Sequence, residues 1–334
     1  MTHLSFDDAL EIANKAARNC GTSLEHAQAL ALSIVTAEAE GNRAVGFAHF
    51  FDYLDALSAG RILGQAKPDI TRTTPIIQTI NANGGMQHLG VDLALDQMAE
   101  TAKEFGLAAI SSRNGYTIGA LSYYPRILAE QHNLVAMCFA NVAPAVMPAS
   151  GGKTPRFCTN PMAFAVPASD GRCVVIDQSS TATAIVSIKQ AADRGETIPD
   201  NWAQDKDGKP TTDPVEALSG LFLPFGGAKG ANMALMVEVL SAAVTGADWS
   251  YESAPFNTGE QTPNLGYFLL AIDPGKMGNP GYARRITDLI TTLEGDGAFL
   301  PGLKKQRASR DSKSLGMKID SETWQKLQSY LGNN

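Results

Sequence analysis

The sequence Leu223-Pro224-Phe225-Gly226-Gly227-Ala228-Lys229-Gly230 stands directly before an apolar stretch with helical spacing that runs to Gly246. Glycines expose backbone N–H groups, and a helix N-terminus beside a lysine attracts anions, so this segment is suited to hold a phosphate. Its spacing does not match the G-x-x-x-x-G-K-[ST] pattern of a P-loop. A glycine-rich turn with a solvated lysine explains the same residues equally well.

Outward from this segment, predicted strands and helices alternate, which is typical of an α/β chain. No predicted strand is followed by G-x-G-x-x-G, since Gly295-Asp296-Gly297 has Leu300 at the place of the third glycine. A Rossmann nucleotide site is therefore not supported. The predicted strands are 107–112, 134–141, 173–177 and 266–272, and the predicted helices around them are 93–105, 184–195, 229–246 and 282–293.

Most of the first ninety residues are predicted to be helical. Ser5 and Ser23 are typical N-cap residues, and the helices that they open end at Gly21 and Gly41. A third helix is expected at about 47–58, and the Pro-punctuated stretch that follows predicts a strand with turns. A basic, polar tail ends the sequence.

The composition excludes several classes of protein. The 334 residues carry 27 Lys and Arg against 34 Asp and Glu, and 44% of them are hydrophobic. The chain is therefore too apolar to be disordered, and its acidic balance argues against a nucleic-acid partner. Four cysteines without a C-x-x-C pair give no support for a disulfide framework or a metal site. The sequence shows no signal peptide and no membrane-spanning run, so a cytoplasmic protein is expected.

Three further segments are candidates for ligand contacts. The loop Asn114–Gly119 joins a predicted strand to a helix, where ligands commonly bind, although an ordinary connection is the simpler interpretation. Thr159 lies in the turn Cys158–Pro161, which resembles a plain turn as much as a substrate contact. Asp177 ends an apolar strand, where a carboxylate either caps a helix or faces a ligand.

Taken together, these segments resemble the type 2 malate/L-lactate dehydrogenase family. The resemblance rests on CTNPMAF (158–164), Asp177, IPDNWA (198–203), LPFGGAKG (223–230) and LPG (300–302), in this order. It extends from the first helix to about Gly316, and LPFGGAKG is its most specific part. Within the family, the branch of Δ1-pyrroline-2-carboxylate and Δ1-piperideine-2-carboxylate reductases is the nearest match that we expect.

The resemblance implies an NAD(P)H-dependent oxidoreductase of α/β (α+β) class with a nucleotide-binding fold that is not Rossmann. It further implies a homodimer that acts on a small imino or 2-oxo acid, with NADPH preferred and NADH possible. We expect a helical N-terminal region at 1–75 with the tail 300–334 packed nearby. Residues 76–299 would then form a mostly antiparallel sheet domain that binds nucleotide and substrate.

The resemblance also assigns site residues. Thr159 matches a threonine that contacts the substrate. The cofactor contacts carried over from the family are Thr117, Ile118, Gly119, Ala120, Val175, Ile176, Asp177, Ala228 and Lys229.

The sequence departs from the family at the catalytic centre. The family motif D-x-x-S-H-G-x-x-R supplies an acid/base histidine, the serine that orients it and an arginine for the substrate carboxylate. Here Ala44 replaces the serine, Val45 the histidine and His49 the arginine, while Ser187 replaces the partner aspartate. Because the coupled positions change together and LPFGGAKG is intact, we interpret the change as one of chemistry.

Two reactions respond differently to this change. Reduction of a 2-oxo acid makes an alkoxide that needs a proton, and loss of a general acid costs ~10²–10⁴-fold in rate. A cyclic imine that binds protonated accepts hydride and yields the amine directly. The sequence therefore favours a cyclic imine carboxylate reductase, with a 2-hydroxy-acid dehydrogenase for sulfolactate, malate or lactate as the alternative. An inactive nucleotide-binding member is a third hypothesis.

His49 is the candidate catalytic and substrate-binding residue. It lies one helical turn from Val45 on the same helix face, so its ring is in reach of the expected site. It acts there either as acid/base or as a cation for the carboxylate. A half-buried helix histidine beside Phe50 and Phe51 is the alternative without a function.

Overall fold

The architecture comes from a computed structural model, which describes residues 2–332. Its helices are α1 (Phe6–Asn19), α2 (Leu24–Ala39), α3 (Phe47–Ser58), α4 (Gln87–Phe105), α5 (Tyr123–His132), α6 (Ile185–Arg194), α7 (Pro214–Ser219), α8 (Ala228–Glu238), α9 (Tyr282–Gly295), α10 (Leu303–Leu315) and α11 (Ser321–Tyr330). Its strands are β1 (Thr2–Leu4), β2 (Asp69–Thr74), β3 (Ile77–Asn81), β4 (Leu107–Gly115), β5 (Val135–Ala140), β6 (Met147–Pro148), β7 (Pro155–Phe157), β8 (Met162–Pro167), β9 (Cys173–Gln178), β10 (Ala203–Gln204), β11 (Leu221–Phe222), β12 (Leu265–Ile272) and β13 (Met317–Ile319).

A seven-stranded sheet forms the centre of the molecule, in the order β2-β3-β4-β12-β5-β8-β9. Its neighbouring strands are antiparallel except for β3 and β4, which are parallel. This confirms the mostly antiparallel sheet and the α/β class with a fold that is not Rossmann. A Rossmann sheet would be parallel, with helical crossovers between its strands.

The two faces of the sheet are covered differently. On one face, α4 and α5 bury an apolar core that includes Met98, Ile110, Leu128, Cys138 and Leu269. On the other face, α9 leaves an apolar cleft of about 720 Å³ between itself and side chains of β5, β8 and β9. The strands therefore expose alternate residues to a closed core and to an open cleft.

The N-terminal helices pack into a second core. The hydroxyls of Ser5 and Ser23 accept hydrogen bonds from the backbone N–H groups of Asp8 and His26, as expected for N-caps. The C-terminal segment joins this core, because β13 pairs with β1 and Leu327 of α11 is buried within it. Residue 75 lies in the turn between β2 and β3, which both belong to the large sheet. A division of the chain at that residue stays a prediction.

One long predicted helix is divided in the structure. Instead of an α-helix from Lys229 to Gly246, α8 ends at Glu238 and continues as a π-helical turn over Val239–Ala243. Within it, the hydroxyl of Ser241 donates to the Val237 carbonyl at 2.7 Å. Such hydroxyl bonds compete with the regular ladder and change the local winding, which apolar periodicity alone does not reveal.

Candidate active site

The start of α3, the helix that carries His49, is fixed by a hydrogen bond to a residue of α2. The buried carboxylate of Glu38 accepts a hydrogen bond of 3.1 Å from the backbone N–H of Phe47, in the first turn of α3. A Cβ at Gly46 would lie 2.4 Å from the same carboxylate and 3.1 Å from the backbone of Glu38, so a larger residue would displace this carboxylate. Burial raises the pKa of Glu38, and its hydrogen bond to Phe47 acts against that rise. The start of α3, and with it the position of His49, is therefore set by α2.

Both ring nitrogens of His49 have hydrogen-bond partners. Nδ1 lies 2.7 Å from Oδ2 of Asp52, and Nε2 lies 3.2 Å from Oγ1 of Thr117. The ring packs edge-on against Tyr53 and Phe256, with centroid distances of 4.9 and 5.8 Å. Its side chain is 14% exposed. The ring is thus fixed by two hydrogen bonds and two aromatic contacts, and its exposed part remains accessible to solvent or a ligand.

A second pair of hydrogen bonds continues from Thr117. The Tyr53 hydroxyl donates to the backbone carbonyl of Thr117 at 2.9 Å, and Oγ1 of Thr117 donates to that same hydroxyl at 2.9 Å. Burial raises the pKa of Tyr53 well above its ordinary value, so this phenol keeps its proton. The chain from Asp52 through His49 and Thr117 to Tyr53 is a connected network.

The positions of the family's acid/base residues have other surroundings here. Val45 is half-buried and packs on the core under α4 and α5, while Ala44 is exposed. Ser187 lies in the first turn of α6, where its backbone N–H bonds to the carbonyl of Ala184. These side chains offer neither a ring nitrogen nor a carboxylate. Within the described residues of this region, His49 supplies an imidazole that is hydrogen-bonded and partly exposed.

The loop Thr117–Ala120 is anchored to β9. The carboxylate of Asp177 accepts hydrogen bonds from the backbone N–H of Ser122 at 3.1 Å and from its hydroxyl at 2.7 Å. Asp177 thus holds the start of α5, which is the capping role that a carboxylate at a strand end commonly has. Two predicted cofactor segments are therefore neighbours, and Asp177 itself has a structural partner.

Gly119 adopts a left-handed conformation with φ 67° in this loop. A side chain there would start 3.6 Å from both Nε2 of His88 and the Tyr53 hydroxyl. His88 is fully buried below the loop, and burial lowers its pKa to about 3. The loop therefore passes over neutral polar side chains and next to the His49 network.

Val175 and Ile176 point to opposite faces of β9. Val175 is buried with Ala129 and Cys173 under α5, and its backbone N–H donates to the carbonyl of Pro301. Ile176 lines the apolar cleft beneath α9. The structure thus offers the side chain of Ile176, but not that of Val175, to a ligand in the cleft.

Thr159 and the glycine-rich turn meet at the segment that follows β9. The backbone N–H of Ser180 donates to the carbonyl of Thr159 at 2.7 Å, and that of Phe225 donates to the carbonyl of Ser180 at 3.1 Å. An isolated bridge also pairs Thr181 with Pro224. The predicted substrate threonine and the turn before α8 are therefore held on one short piece of backbone.

A buried carboxylate fixes the residue after Thr159. Asn160 is fully buried with φ 36°, and its amide donates to Oε2 of Glu238 at 2.6 Å and to the carbonyl of Ala234 at 3.0 Å. Glu238 also accepts from the backbone N–H and hydroxyl of Ser250. Burial raises the pKa of Glu238, and these donors oppose the rise. The turn at Thr159 is thereby attached to the end of α8.

The turn before α8 has the features of an anion site. Gly226 and Gly227 have φ values of 58° and 64°, and a Cβ at Gly230 would lie 2.0 Å from the Phe225 carbonyl. The helix begins without a side-chain cap, and both Ala228 and Lys229 are exposed. Free N–H groups at a helix start and an exposed ammonium are suitable donors for a phosphate of a dinucleotide.

Sequence reasoning singled out His49 and, separately, Thr117, but it missed Asp52 and Tyr53. Asp52 follows His49 by three residues, so the two side chains share a helix face, and that spacing was a usable signal. Tyr53 and Glu238 were missed because no motif or spacing in the neighbouring sequence indicates their partners. Tyr53 reaches Thr117 from 64 residues away, and Glu238 reaches Asn160 from 78 residues away.

A model of the malate/L-lactate dehydrogenase family matches residues 4–328. The chain belongs to this family. It is 34% identical over 313 residues to a Δ1-pyrroline-2-carboxylate reductase of Ancylobacter novellus, covering 92% of this chain and 91% of that protein. It is 32% identical over 329 residues to a (2R)-3-sulfolactate dehydrogenase (NADP+) of Chromohalobacter salexigens, covering 98% and 97%. The protein is therefore an oxidoreductase that acts on a small molecule.

Solved structures give the same result. The Δ1-piperideine-2-carboxylate reductase of Pseudomonas syringae pathovar tomato superimposes with a TM-score of 0.94 at 30% identity, over 99% of this chain and 100% of that one. The expected family and its reductase relatives are thus confirmed. Among residues 2–332, every helix is too short or too polar to cross a bilayer.

Proposed function

We propose that the protein reduces a cyclic imine carboxylate with NADPH, turning Δ1-pyrroline-2-carboxylate into L-proline or Δ1-piperideine-2-carboxylate into L-pipecolate. The observation that carries the proposal is the region around α3. At the position of the family's acid/base histidine, Val45 is half-buried and packs against the core, and no carboxylate or imidazole takes over at Ala44 or Ser187. An iminium needs no proton at hydride transfer, so this substrate class tolerates the change best.

In this proposal, Thr117–Ala120, Val175–Asp177 and Ala228–Lys229 contact the cofactor, while His49 and Thr159 contact the substrate. The support is proximity: Ser122 joins the first segment to the second, and Ser180 joins the second to Thr159 and the turn before α8. NADPH would supply the hydride, and the residues named here would bind it and orient the substrate. The name of one relative specifies NADP+, which favours NADPH over NADH.

The test is NADPH oxidation with purified protein and Δ1-pyrroline-2-carboxylate or Δ1-piperideine-2-carboxylate. A panel of pyruvate, oxaloacetate and 3-sulfopyruvate serves as the comparison. We expect a kcat/KM for at least one imine that exceeds every 2-oxo acid by more than about tenfold, in keeping with the cost of a missing general acid. Turnover of 2-oxo acids alone would overturn the proposal.

A 2-hydroxy-acid dehydrogenase is the second candidate. It is favoured by the sulfolactate relative at 32% identity and by His49, whose Nε2 lies near enough to the loop at Thr117 to act as a proton donor. The same substrate panel decides between the two. Binding of NADPH without turnover of any substrate would instead support an inactive family member. Sizing by light scattering and fractionation of the source cells test the expected homodimer and cytoplasmic location.

A further inference from the structure

The hydrogen bonds around His49 determine where its protons are. The carboxylate of Asp52 only accepts, so the Nδ1 that lies 2.7 Å from it must carry a hydrogen. Whether Nε2 carries a hydrogen depends on Thr117, and the direction of the Thr117 hydrogen bond depends in turn on Tyr53. Its hydroxyl hydrogen is used in the bond to the Thr117 carbonyl, so its oxygen accepts the hydrogen of the Thr117 hydroxyl.

That direction leaves one role for Nε2 of His49. Because Oγ1 of Thr117 already donates to Tyr53, it accepts in its contact of 3.2 Å with Nε2. With this direction of donation, Nε2 carries a hydrogen as well. An imidazole with hydrogens on both nitrogens is a cation, and this arrangement is the one that also gives the Thr117 carbonyl its donor.

We propose that Asp52 is a positioning residue that holds His49 as a cation for the carboxylate of the substrate. This deepens the proposed function, on which it rests for the identity of the substrate. A carboxylate oxygen of the ligand would replace Oγ1 of Thr117 as the acceptor of the Nε2–H, while Asp52 keeps Nδ1 fixed. A charge-assisted hydrogen bond of this kind is about twice as strong as a neutral one.

The other titratable groups near the ring do not replace Asp52. Tyr53 and Tyr116 keep their protons, because burial raises the pKa of each phenol above the physiological range. His88 is buried below Tyr53 and neutral, because burial lowers its pKa to about 3. Asp55 lies one turn further along α3 and binds the hydroxyl of Tyr330 instead.

Equilibrium binding to the NADPH-loaded protein separates charge from packing. The probe is pyrrole-2-carboxylate, a flat five-membered ring acid that hydride cannot reduce, and pyrrole-2-carboxamide is its neutral match. Asp52→Asn keeps the shape but accepts less strongly from Nδ1, and Asp52→Glu restores the charge. Asp55→Asn is the matched control on the same helix.

We expect Asp52→Asn to weaken carboxylate binding by roughly tenfold to a hundredfold, with carboxamide binding little changed. Asp52→Glu should recover part of the loss, and Asp55→Asn should bind as the wild type does. In turnover assays the same variant should raise KM more than it lowers kcat.

Equal weakening of acid and amide in Asp52→Asn would show a structural role only and would overturn the proposal. This outcome is independent of the imine assignment, because binding is measured without turnover. If the protein reduces 2-oxo acids instead, oxamate takes the place of the pyrrole acid in the same series.

Discussion

Asn160 donates its side-chain amide to the carboxylate of Glu238 at 2.6 Å, and both residues are buried. The bond connects the turn at Thr159 to the end of α8, the helix that begins at the glycine-rich turn. Two segments with separate predicted roles, one toward substrate and one toward cofactor, are therefore linked by this buried contact, beside the backbone bonds through Ser180. Any change in it should affect both stability and ligand binding.

Asn160→Ala should lower the free energy of unfolding by about 2–4 kcal/mol, because it leaves the Glu238 carboxylate short of a donor and strains a left-handed residue. Asn133→Ala is the control, since Asn133 is also left-handed, with φ 59°, at the end of α5. Urea unfolding of both variants isolates the buried hydrogen bonds. Equal losses would mean that backbone strain alone explains the effect.

His88 should make the protein sensitive to acid. Burial lowers its pKa from 6.5 to about 3, so below pH 6.5 the unfolded chain binds a proton that the folded chain does not. Stability from this group is complete above pH 6.5 and falls by up to about 1.4 kcal/mol per pH unit toward pH 3. Urea unfolding between pH 7 and 5 should show a smaller slope in His88→Leu than in the wild type. The exposed His3, replaced by Asn, is the control, and an unchanged slope in His88→Leu would refute the prediction.

Asp177→Asn should loosen the loop before α5. The neutral amide accepts more weakly from the backbone N–H and the hydroxyl of Ser122. If the loop binds the cofactor, the loss of one charge-assisted hydrogen bond lowers the affinity of the protein for NADPH by roughly tenfold or more. We expect a higher dissociation constant for NADPH, measured by fluorescence titration, and faster hydrogen exchange at Thr117–Ser122. Asp193→Asn, on the exposed side of α6, should change neither. If hydrogen exchange in the loop becomes faster but the affinity for NADPH stays normal, the loop does not bind the cofactor.

Gly230→Ala should disrupt the glycine-rich turn. Its Cβ would lie 2.0 Å from the Phe225 carbonyl, so the backbone before α8 has to move. We expect a lower melting temperature and at least a tenfold loss of NADPH affinity, as one charge-assisted phosphate contact is lost. Gly295→Ala is the control, because a Cβ there meets nothing within 4 Å. If the folded Gly230→Ala protein binds NADPH with full affinity, the phosphates of NADPH do not bind at the glycine-rich turn.

Most of the helices and strands could be predicted from the sequence, because their signals are local, whereas the mostly antiparallel sheet was expected from the family resemblance alone. Ser5 and Ser23 cap their helices as expected, and the apolar runs of β4, β5, β9 and β12 became strands. The interruption of α8 was missed, since apolar spacing records neither the π-helical turn nor the hydroxyl bond of Ser241 within it. At the candidate site, residue identity predicted His49, but the partner at Tyr53 depends on a contact that local periodicity does not record.

The sequence by itself determined the family, through LPFGGAKG and its companion motifs, and it determined what is missing, because Ala44, Val45 and Ser187 are visible without any coordinates. Only the tertiary structure decided the environment of His49. Hydrogen bonds are directional and short-ranged, so the protons on that ring depend on Asp52 and Thr117 lying within about 3 Å of it, as their distances show. A motif states which side chains are available, and the fold decides which of them meet.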